Sequence, residues 1–190
     1  VVPIPDSGTS AAIGFAEKSG IPFDLGMIRS HYVGRTFISP DQKMREIDVK
    51  IKLAPIREVI KDKRIVVVDD SIVRGTTTKG KIKAFRDAGA KEIHMRVSCP
   101  PIRFPCFYGI DFPTKEELIA NNRTLEQIRE FLEVETLGYM SLEGLLSCAS
   151  LPQDHYCTAC WTGKYRIPVD VAVTKFSLEH YQLRMFEEAQ

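Results

Sequence analysis

The sequence predicts an α/β fold: a mainly parallel central sheet flanked by helices, with a cysteine-bearing extension at the C-terminal end. Short apolar, β-branched runs alternate with helical periodicities along the chain, the pattern that sets parallel strands in one layer and helices on its faces. One such run, Ile65-Val66-Val67-Val68, has no polar residue, as a strand buried on both faces requires. Two cysteines, Cys157 and Cys160, fall after the last strand–helix alternation.

Residues 1–4 read as the first strand, which Pro3 places at an irregular edge because proline gives no amide to a ladder. Residues 5–10, PDSGTS, form a turn that can cap a helix over 10–20, with Ala12, Ile13 and Ala16 on its apolar face and Gly20 as its stop. Residues 23–28 read as a second strand. From 30 to 53 periodicity is lost in a segment rich in basic residues and broken by Gly34 and Pro40. A stretch this long without pattern is a charged surface loop or a functional lid. A lid would use cations to neutralise a departing anion, and Arg35, Lys43, Arg45 and Lys52 are its candidates.

The organising stretch is residues 64–78, RIVVVDDSIVRGTTT. After the apolar strand come Asp69 and Asp70, then a small-polar turn, Ser71 to Thr77, with Gly75 near its close. A helix follows with Ile82, Phe85, Ala88 and Gly89 on one face. Loop amides and a helix N-terminus can surround a phosphate, with the hydroxyls of Ser71, Thr76, Thr77 and Thr78 adding to them. Two carboxylates beside them are acceptors for sugar hydroxyls or for a hydrated Mg²⁺. The structural alternative is a βα unit with a solvated acidic strand end and a threonine cap. A Walker A loop is excluded because no Gly-Lys-Ser/Thr follows, and GxGxxG is absent.

Beyond this unit, 91–97 reads as a strand and 99–111 as irregular, with three prolines and two cysteines. Thr114-Lys-Glu-Glu117 reads as a capping box opening a helix over Leu118 and Ile119. Thr124-Leu-Glu-Gln127 reads as another, with Leu125, Ile128, Phe131 and Leu132 on the apolar face. Residues 137–140 read as a short strand, Ser141 caps a helix carrying Leu142, Leu145 and Leu146, and 169–190 as an amphipathic terminal helix for core packing or an oligomer contact. Two units are expected: 1–147, including the lid 30–53, and the extension 148–190.

A length of 190 residues suits one such domain with an appendage. A net charge of +1 gives no generalised nucleic-acid surface, so an anion site must be local. No apolar run reaches membrane-spanning length and no signal peptide is visible. Five cysteines, an odd number, argue against a secreted disulfide framework and for thiols, a metal or a cluster in a reducing, cytoplasmic compartment. The chain begins at Val1 without an initiator Met and reads as a fragment or processed product. Cys157-Thr-Ala-Cys160 supplies two ligands of a four-ligand site for zinc or an iron–sulfur cluster, or a redox pair. Cys106 is the natural third ligand. Cys148, on a Leu-rich helix face, reads as a buried small hydrophobe.

VVVDDSIVRGTT resembles the 5-phosphoribosyl-1-diphosphate (PRPP) motif of type I phosphoribosyltransferases. The segments RSHYVGRTFISP, KIKLAPIR and VVVDDSIVRGTTT, in this order and spacing, resemble the amidophosphoribosyltransferase family, and the similarity continues through CPPIRFPCFYGID to CTACWTGKY. The resemblance implies the type I phosphoribosyltransferase fold and attack of ammonia on C1 of PRPP with loss of pyrophosphate, the first committed step of purine synthesis. It implies that Asp69 and Asp70 meet ribose hydroxyls and Mg²⁺, with Ser7 as a third metal-side position. Asp6, Ser7, Gly8 and Thr9 would take the pyrophosphate. Ser71, Ile72, Val73, Arg74, Gly75, Thr76 and Thr77 would take the 5′-phosphate, the Arg74 side chain pointing to solvent or structure. Arg35 and Lys52 would act from the lid.

Iron–sulfur members of the family carry cysteines at the places of Cys106, Cys157 and Cys160, which implies a [4Fe–4S] cluster in the full-length protein with its fourth ligand upstream. Cys99 as a substitute, or zinc on Cys99, Cys106, Cys157 and Cys160, are the alternatives. The family draws ammonia from glutamine through an N-terminal glutaminase domain that begins with Cys. Val1 stands here instead, so the expected partners are PRPP, that missing domain and further copies of the chain, with neither nucleic acid nor membrane. The competing readings are a nucleobase phosphoribosyltransferase, for which no base-stacking aromatic hood is identifiable, and a PRPP-binding regulatory module, which would need neither the basic lid nor the CxxC tail.

Overall fold

A computed structural model describes residues 1–30, 53–110, 112 and 114–168. The expected lid between 30 and 53, with Arg35, Lys43, Arg45 and Lys52, lies outside the described residues except for its two ends, as does the tail 169–190.

The centre is a four-stranded, all-parallel sheet in the order β1 (Val2–Pro3), β4 (Arg64–Asp69), β5 (Glu92–Val97), β6 (Thr136–Tyr139). Two short strands, β2 (Met27–Arg29) and β3 (Leu53–Pro55), pair antiparallel in a separate ribbon. Arg29 stands opposite Leu53, so the chain on either side of residues 30–52 is held together. The strand expected at 23–28 is thus shorter and later, and outside the main sheet. Residues 23–25 are exposed, so no core holds them in line with buried Gly26 and Met27.

Central β4 is buried on both faces, as its composition requires. Ile65 and Val67 point to the larger core beside Ile82 and Phe85 of α3 (Thr76–Asp87). Val68 points to the other face, against Ala12 and Ala16 of α1 (Thr9–Ser19). In β5 the alternation is one-sided: Ile93, Met95 and Val97 are buried and Glu92, His94 and Arg96 half-exposed. Helix α1 ends at Gly20 in a left-handed cap, as expected. In α3, Thr78, Ile82 and Phe85 form the buried stripe, but Gly89 lies past the helix end at φ 98° rather than on its face.

The predicted helix at 114–119 is instead a single 3₁₀ turn, Lys115–Glu117, followed by the short α4 (Ile119–Asn122). Leu118 and Ile119 are pulled into the core between the two pieces, which leaves Leu118 extended and breaks the helix. The second capping box is present: Thr124 Oγ1 accepts the Gln127 amide and Gln127 Oε1 accepts the Thr124 amide, opening α5 (Leu125–Leu132). Ile128 and Leu132 are buried there, whereas Leu125, in its first turn, faces solvent. Ser141 caps α6 (Leu142–Ser147) through the Gly144 amide, as expected. The remaining short helices are α2 (Arg57–Ile60) and α7 (Ala159–Thr162). Among the described residues no helix is long and apolar enough to cross a membrane.

Candidate functional site

Adjacent parallel strands β1 and β4 deliver two loops to the same edge, the carboxyl end of the sheet, where open α/β sheets bind ligands. The first loop, residues 5–8, is pinned to the end of β4. Ile4 N–H donates to Val68 O at 2.8 Å, and Gly8 N–H donates to Ile4 O at 3.0 Å. A Cβ on Gly8 would lie 2.5 Å from Val68 O and 3.2 Å from Asp69 Cα, so only glycine fits this approach. Gly8 is the N-cap of α1 and supplies no side-chain cap, so the helix opens directly from the loop. The Pro5–Asp6 peptide is cis. Ser7 is exposed, and exposed Asp6 forms an ion pair with Arg29, Nη1 to Oδ2 at 2.9 Å.

The second loop follows β4, and its two acids have different surroundings. Asp69 is buried: Oδ2 accepts from Lys81 Nζ at 3.0 Å, Oδ1 accepts the Asp70 amide at 3.0 Å, and the main-chain carbonyl accepts the Ser98 amide at 3.0 Å. Burial pushes its carboxyl up to about 6, against the opposing pull of the Lys81 ammonium. Asp70 is exposed, and its Oδ1 accepts the Ser71 amide at 2.6 Å and the Ser71 hydroxyl at 3.3 Å.

Ile72 is buried, so its side chain anchors the loop in the core and only its backbone is left for a ligand. Val73 O accepts the Ile119 amide at 2.9 Å. Arg74 forms an ion pair with Glu117 at 2.6 Å, the structural alternative foreseen for it. Gly75 takes φ 81°, and α3 begins at the next residue without a side-chain cap. Thr76 and Thr77 at that helix start are exposed, and Thr78 is buried. The outward-facing set of the loop is therefore Asp70, Ser71, Arg74, Thr76 and Thr77.

The cysteine region adjoins the acidic pair, for Cys99 follows Ser98, whose amide donates to Asp69 O. Arg103 and Phe104 amides both donate to Cys160 O at 3.0 Å, and Tyr165 Oη donates to Pro105 O at 2.7 Å, which packs residues 157–165 on the irregular segment after β5. Burial pushes the Cys160 thiol up to about 11, with Cys157 and Cys106 adding to the shift. Burial pushes Cys99 up to about 12, and Asp70, Cys160 and Asp69 add to it. Among the described residues, no group of three His, Cys, Asp or Glu side chains is arranged to hold a metal ion.

Cys148 is exposed rather than buried. It follows α6, its thiol donates to Gly144 O at 3.3 Å, and it lines an open groove of about 360 Å³ with Leu145, Leu146, Ala149, Tyr156, Cys157 and Trp161. Trp161 of the short helix α7 faces α6 across this groove, and the leucines of α6 are half-buried.

The structure thus brings together the loop 6–9 and the loop 69–77 at the ends of paired strands. Two partners escaped sequence reading. Arg29 meets Asp6 across 23 positions, with no local signal. Lys81 meets Asp69 across 12, and its only trace is its place beside the apolar stripe Thr78, Ile82, Phe85.

No family model matches the chain. The amidophosphoribosyltransferase of Methanothermobacter thermautotrophicus is 51% identical over 176 residues, covering 93% of this chain and 37% of the relative. The chloroplastic amidophosphoribosyltransferase of Glycine max is 48% identical over 182 residues, covering 95% and 32%. Among solved structures, the glutamine PRPP amidotransferase from B. subtilis complexed with ADP and GMP superposes with a TM-score of 0.77 at 50% identity, over 87% of this chain and 37% of that one. A structure of the allosteric regulatory enzyme of purine biosynthesis gives 0.78 at 47% identity, over 95% and 39%. The chain spans about a third of the length of the curated relatives it matches. The mainly parallel α/β fold is the expected one, and with this identity over nearly all of its residues the chain belongs to the amidophosphoribosyltransferase family.

Proposed function

We propose that this chain binds PRPP and transfers its phosphoribosyl group to ammonia, giving 5-phosphoribosylamine and pyrophosphate, the first committed step of purine biosynthesis. One observation carries the reading. A small-residue loop that opens α1 and an acid-, hydroxyl- and glycine-bearing loop that opens α3 stand side by side at the carboxyl ends of paired β1 and β4. Two helix starts side by side, each with its positive dipole end toward the loops, suit the 5′-phosphate and the diphosphate of one ligand.

In this reading Asp6, Ser7, Gly8 and Thr9 hold the diphosphate, with Gly8 admitting its close approach. The backbone of 71–77 and the hydroxyls of Ser71, Thr76 and Thr77 hold the 5′-phosphate. The acidic pair accepts the ribose hydroxyls. Ammonia forms the C1–N bond as the C1–O bond breaks, the electron pair leaving with pyrophosphate and one proton passing to solvent. Positioning and electrostatic stabilisation of an oxocarbenium-like sugar carry this chemistry. Arg35 and Lys52, proposed as the lid cations at the leaving group, lie outside the described residues.

The exposed Asp70 carboxylate and Ser7 hydroxyl fit Mg²⁺, a hard cation that takes oxygen ligands and keeps its waters, with Asp69 behind them. When bound it would neutralise the departing diphosphate. A [4Fe–4S] cluster would take Cys106, Cys157 and Cys160. As they stand, these thiols do not close a metal site among the described residues. Glutamine as the ammonia source belongs to the whole enzyme, so the chain by itself is expected to use free ammonia.

Titration calorimetry with PRPP, with and without Mg²⁺, tests the reading, followed by pyrophosphate release on adding ammonium. Mg²⁺-dependent binding that the double change Asp69→Asn/Asp70→Asn abolishes supports it. A cooperatively folded chain that ignores PRPP would refute it, and binding without pyrophosphate release would turn it into a regulatory module.

A further inference from the structure

We infer that Glu117 is a positioning residue for the 5′-phosphate: acting through Arg74, it splints the phosphate loop from outside and shapes it before a ligand arrives. This rests on the phosphoribosyl reading and adds to it a residue from a distant part of the chain.

Each residue from 72 to 75 is held by something beyond the loop. The Ile72 side chain is buried in the core. Val73 O accepts the Ile119 amide at 2.9 Å. Arg74 Nε donates to Glu117 Oε2 at 2.6 Å. Gly75, at φ 81°, lies against Ile119 and Phe131, where an added Cβ would meet their side chains at 2.6 Å and 3.1 Å. Glu117 and Ile119 thus back three consecutive loop residues. Their own segment is fixed, because Leu118 between them is fully buried and the Glu117 amide donates to Thr114 O at 3.0 Å.

Of these anchors only the Arg74–Glu117 pair stands in the open, its side chains 49% and 44% exposed. A pair so exposed adds little to stability. Its effect falls on the loop instead. Backbone amides bind a phosphate well when they already converge on it, since no ordering then has to accompany binding. With its Nε engaged by Glu117, the Arg74 side chain ties the middle of the loop to the 3₁₀ turn, and the anion is left to the amides and to Ser71, Thr76 and Thr77. Charge and position then predict opposite signs. Removing a carboxylate near an anion site tightens anion binding by charge alone, whereas loss of the splint weakens it.

The test is calorimetry on the 190-residue chain with three probes, each with Mg²⁺: PRPP, ribose 5-phosphate, and pyrophosphate, which lacks the 5′-phosphate. Glu117→Ala is expected to weaken PRPP and ribose 5-phosphate by the same factor, roughly fivefold to tenfold, and to leave pyrophosphate within about twofold. Arg74→Ala gives the same loss, and Arg74→Ala/Glu117→Ala loses no more than either single variant. Glu117→Gln, which keeps an acceptor for Arg74 Nε, recovers most of the affinity. Should Glu117→Ala not fold, Glu117→Ser is read in the same way.

Unchanged or tighter PRPP binding in Glu117→Ala would reduce the pair to a surface contact and overturn the inference alone. So would a loss in Arg74→Ala that Glu117→Ala does not share, because Arg74 would then meet the phosphate itself. An equal loss for pyrophosphate would mark general damage to the fold and overturn it too. A folded wild type that binds no PRPP would overturn the phosphoribosyl reading, and this inference with it.

Discussion

Gly8 meets the carbonyl oxygen of Val68 so closely that a Cβ at Gly8 would lie 2.5 Å from it. The obstacle is backbone, at the end of the central strand, and cannot rotate away. Gly8→Ala is therefore expected to destabilise the chain by roughly 1–3 kcal/mol, the usual range for overpacking, and to weaken PRPP binding by pushing the 5–8 loop off β4. Gly14, in the same helix, has nothing within 4 Å of its added Cβ. Gly14→Ala should stabilise by about 0.5–1 kcal/mol through helix propensity. Thermal melts of the two variants settle the contrast, and equal effects would count against it.

Gly75 sits at φ 81°, in the left-handed region, at the turn between the acidic pair and α3. Gly75→Ala carries a backbone penalty of about 1–2 kcal/mol. Its Cβ would also meet Ile119 Cδ1 at 2.6 Å, a contact that a flexible side-chain end can relieve. A drop in Tm of a few degrees is the expected reading, and an unchanged Tm would show that the turn can change shape at no cost.

Asp69 predicts a pH dependence in the ligand-free chain. Its folded pKa, about 6, lies above the ordinary 3.8, so between these values the native state binds more protons than the unfolded one. Stability attributable to Asp69 is then full below the lower value and falls as pH rises through the window, by roughly 1–3 kcal/mol. Denaturant titrations between pH 4 and pH 7 on the chain and on Asp69→Asn measure the difference. A difference that grows in the opposite direction would mean that the Lys81 attraction outweighs desolvation.

The five thiols should react in an order set by exposure and acidity. Cys148 and Cys157 are exposed, Cys106 and Cys160 half-buried, and Cys99 half-buried with its thiol pushed up to about 12. Only the thiolate attacks an alkylating reagent, so Cys99 is expected to be labelled last by iodoacetamide at pH 8. A mass-spectrometric time course on peptides reads the order directly, and early labelling of Cys99 would contradict the packing of the segment after β5.

Removing the Thr124 hydroxyl tests the one complete capping box. Thr124→Ala is expected to destabilise the chain by about 1 kcal/mol without changing PRPP affinity, because the cap it removes is local to α5 and outside residues 69–77. Lost affinity at unchanged stability would be the surprising result.

What the sequence by itself determined was local. A run of four apolar β-branched residues has to be a doubly buried strand, and Val67 and Val68 do face separate cores. Thr124 and Gln127 can close a capping box because donor and acceptor lie within one helical turn. The loop–helix units at 5–9 and 69–77 were legible for the same reason, since glycine, hydroxyls and carboxylates bear on amides a few positions away. Tertiary structure alone decided which acid of the pair is buried and which is open, because that depends on Lys81 and Ser98, 12 and 29 positions from Asp69. It also decided that Asp6 is paired with Arg29, that Leu118 interrupts a helix its capping pattern favours, and that Cys148 stands in the open. Short-range hydrogen bonding is written in adjacent residues, whereas burial and charge pairing arise only when distant segments of the chain compete for the same space.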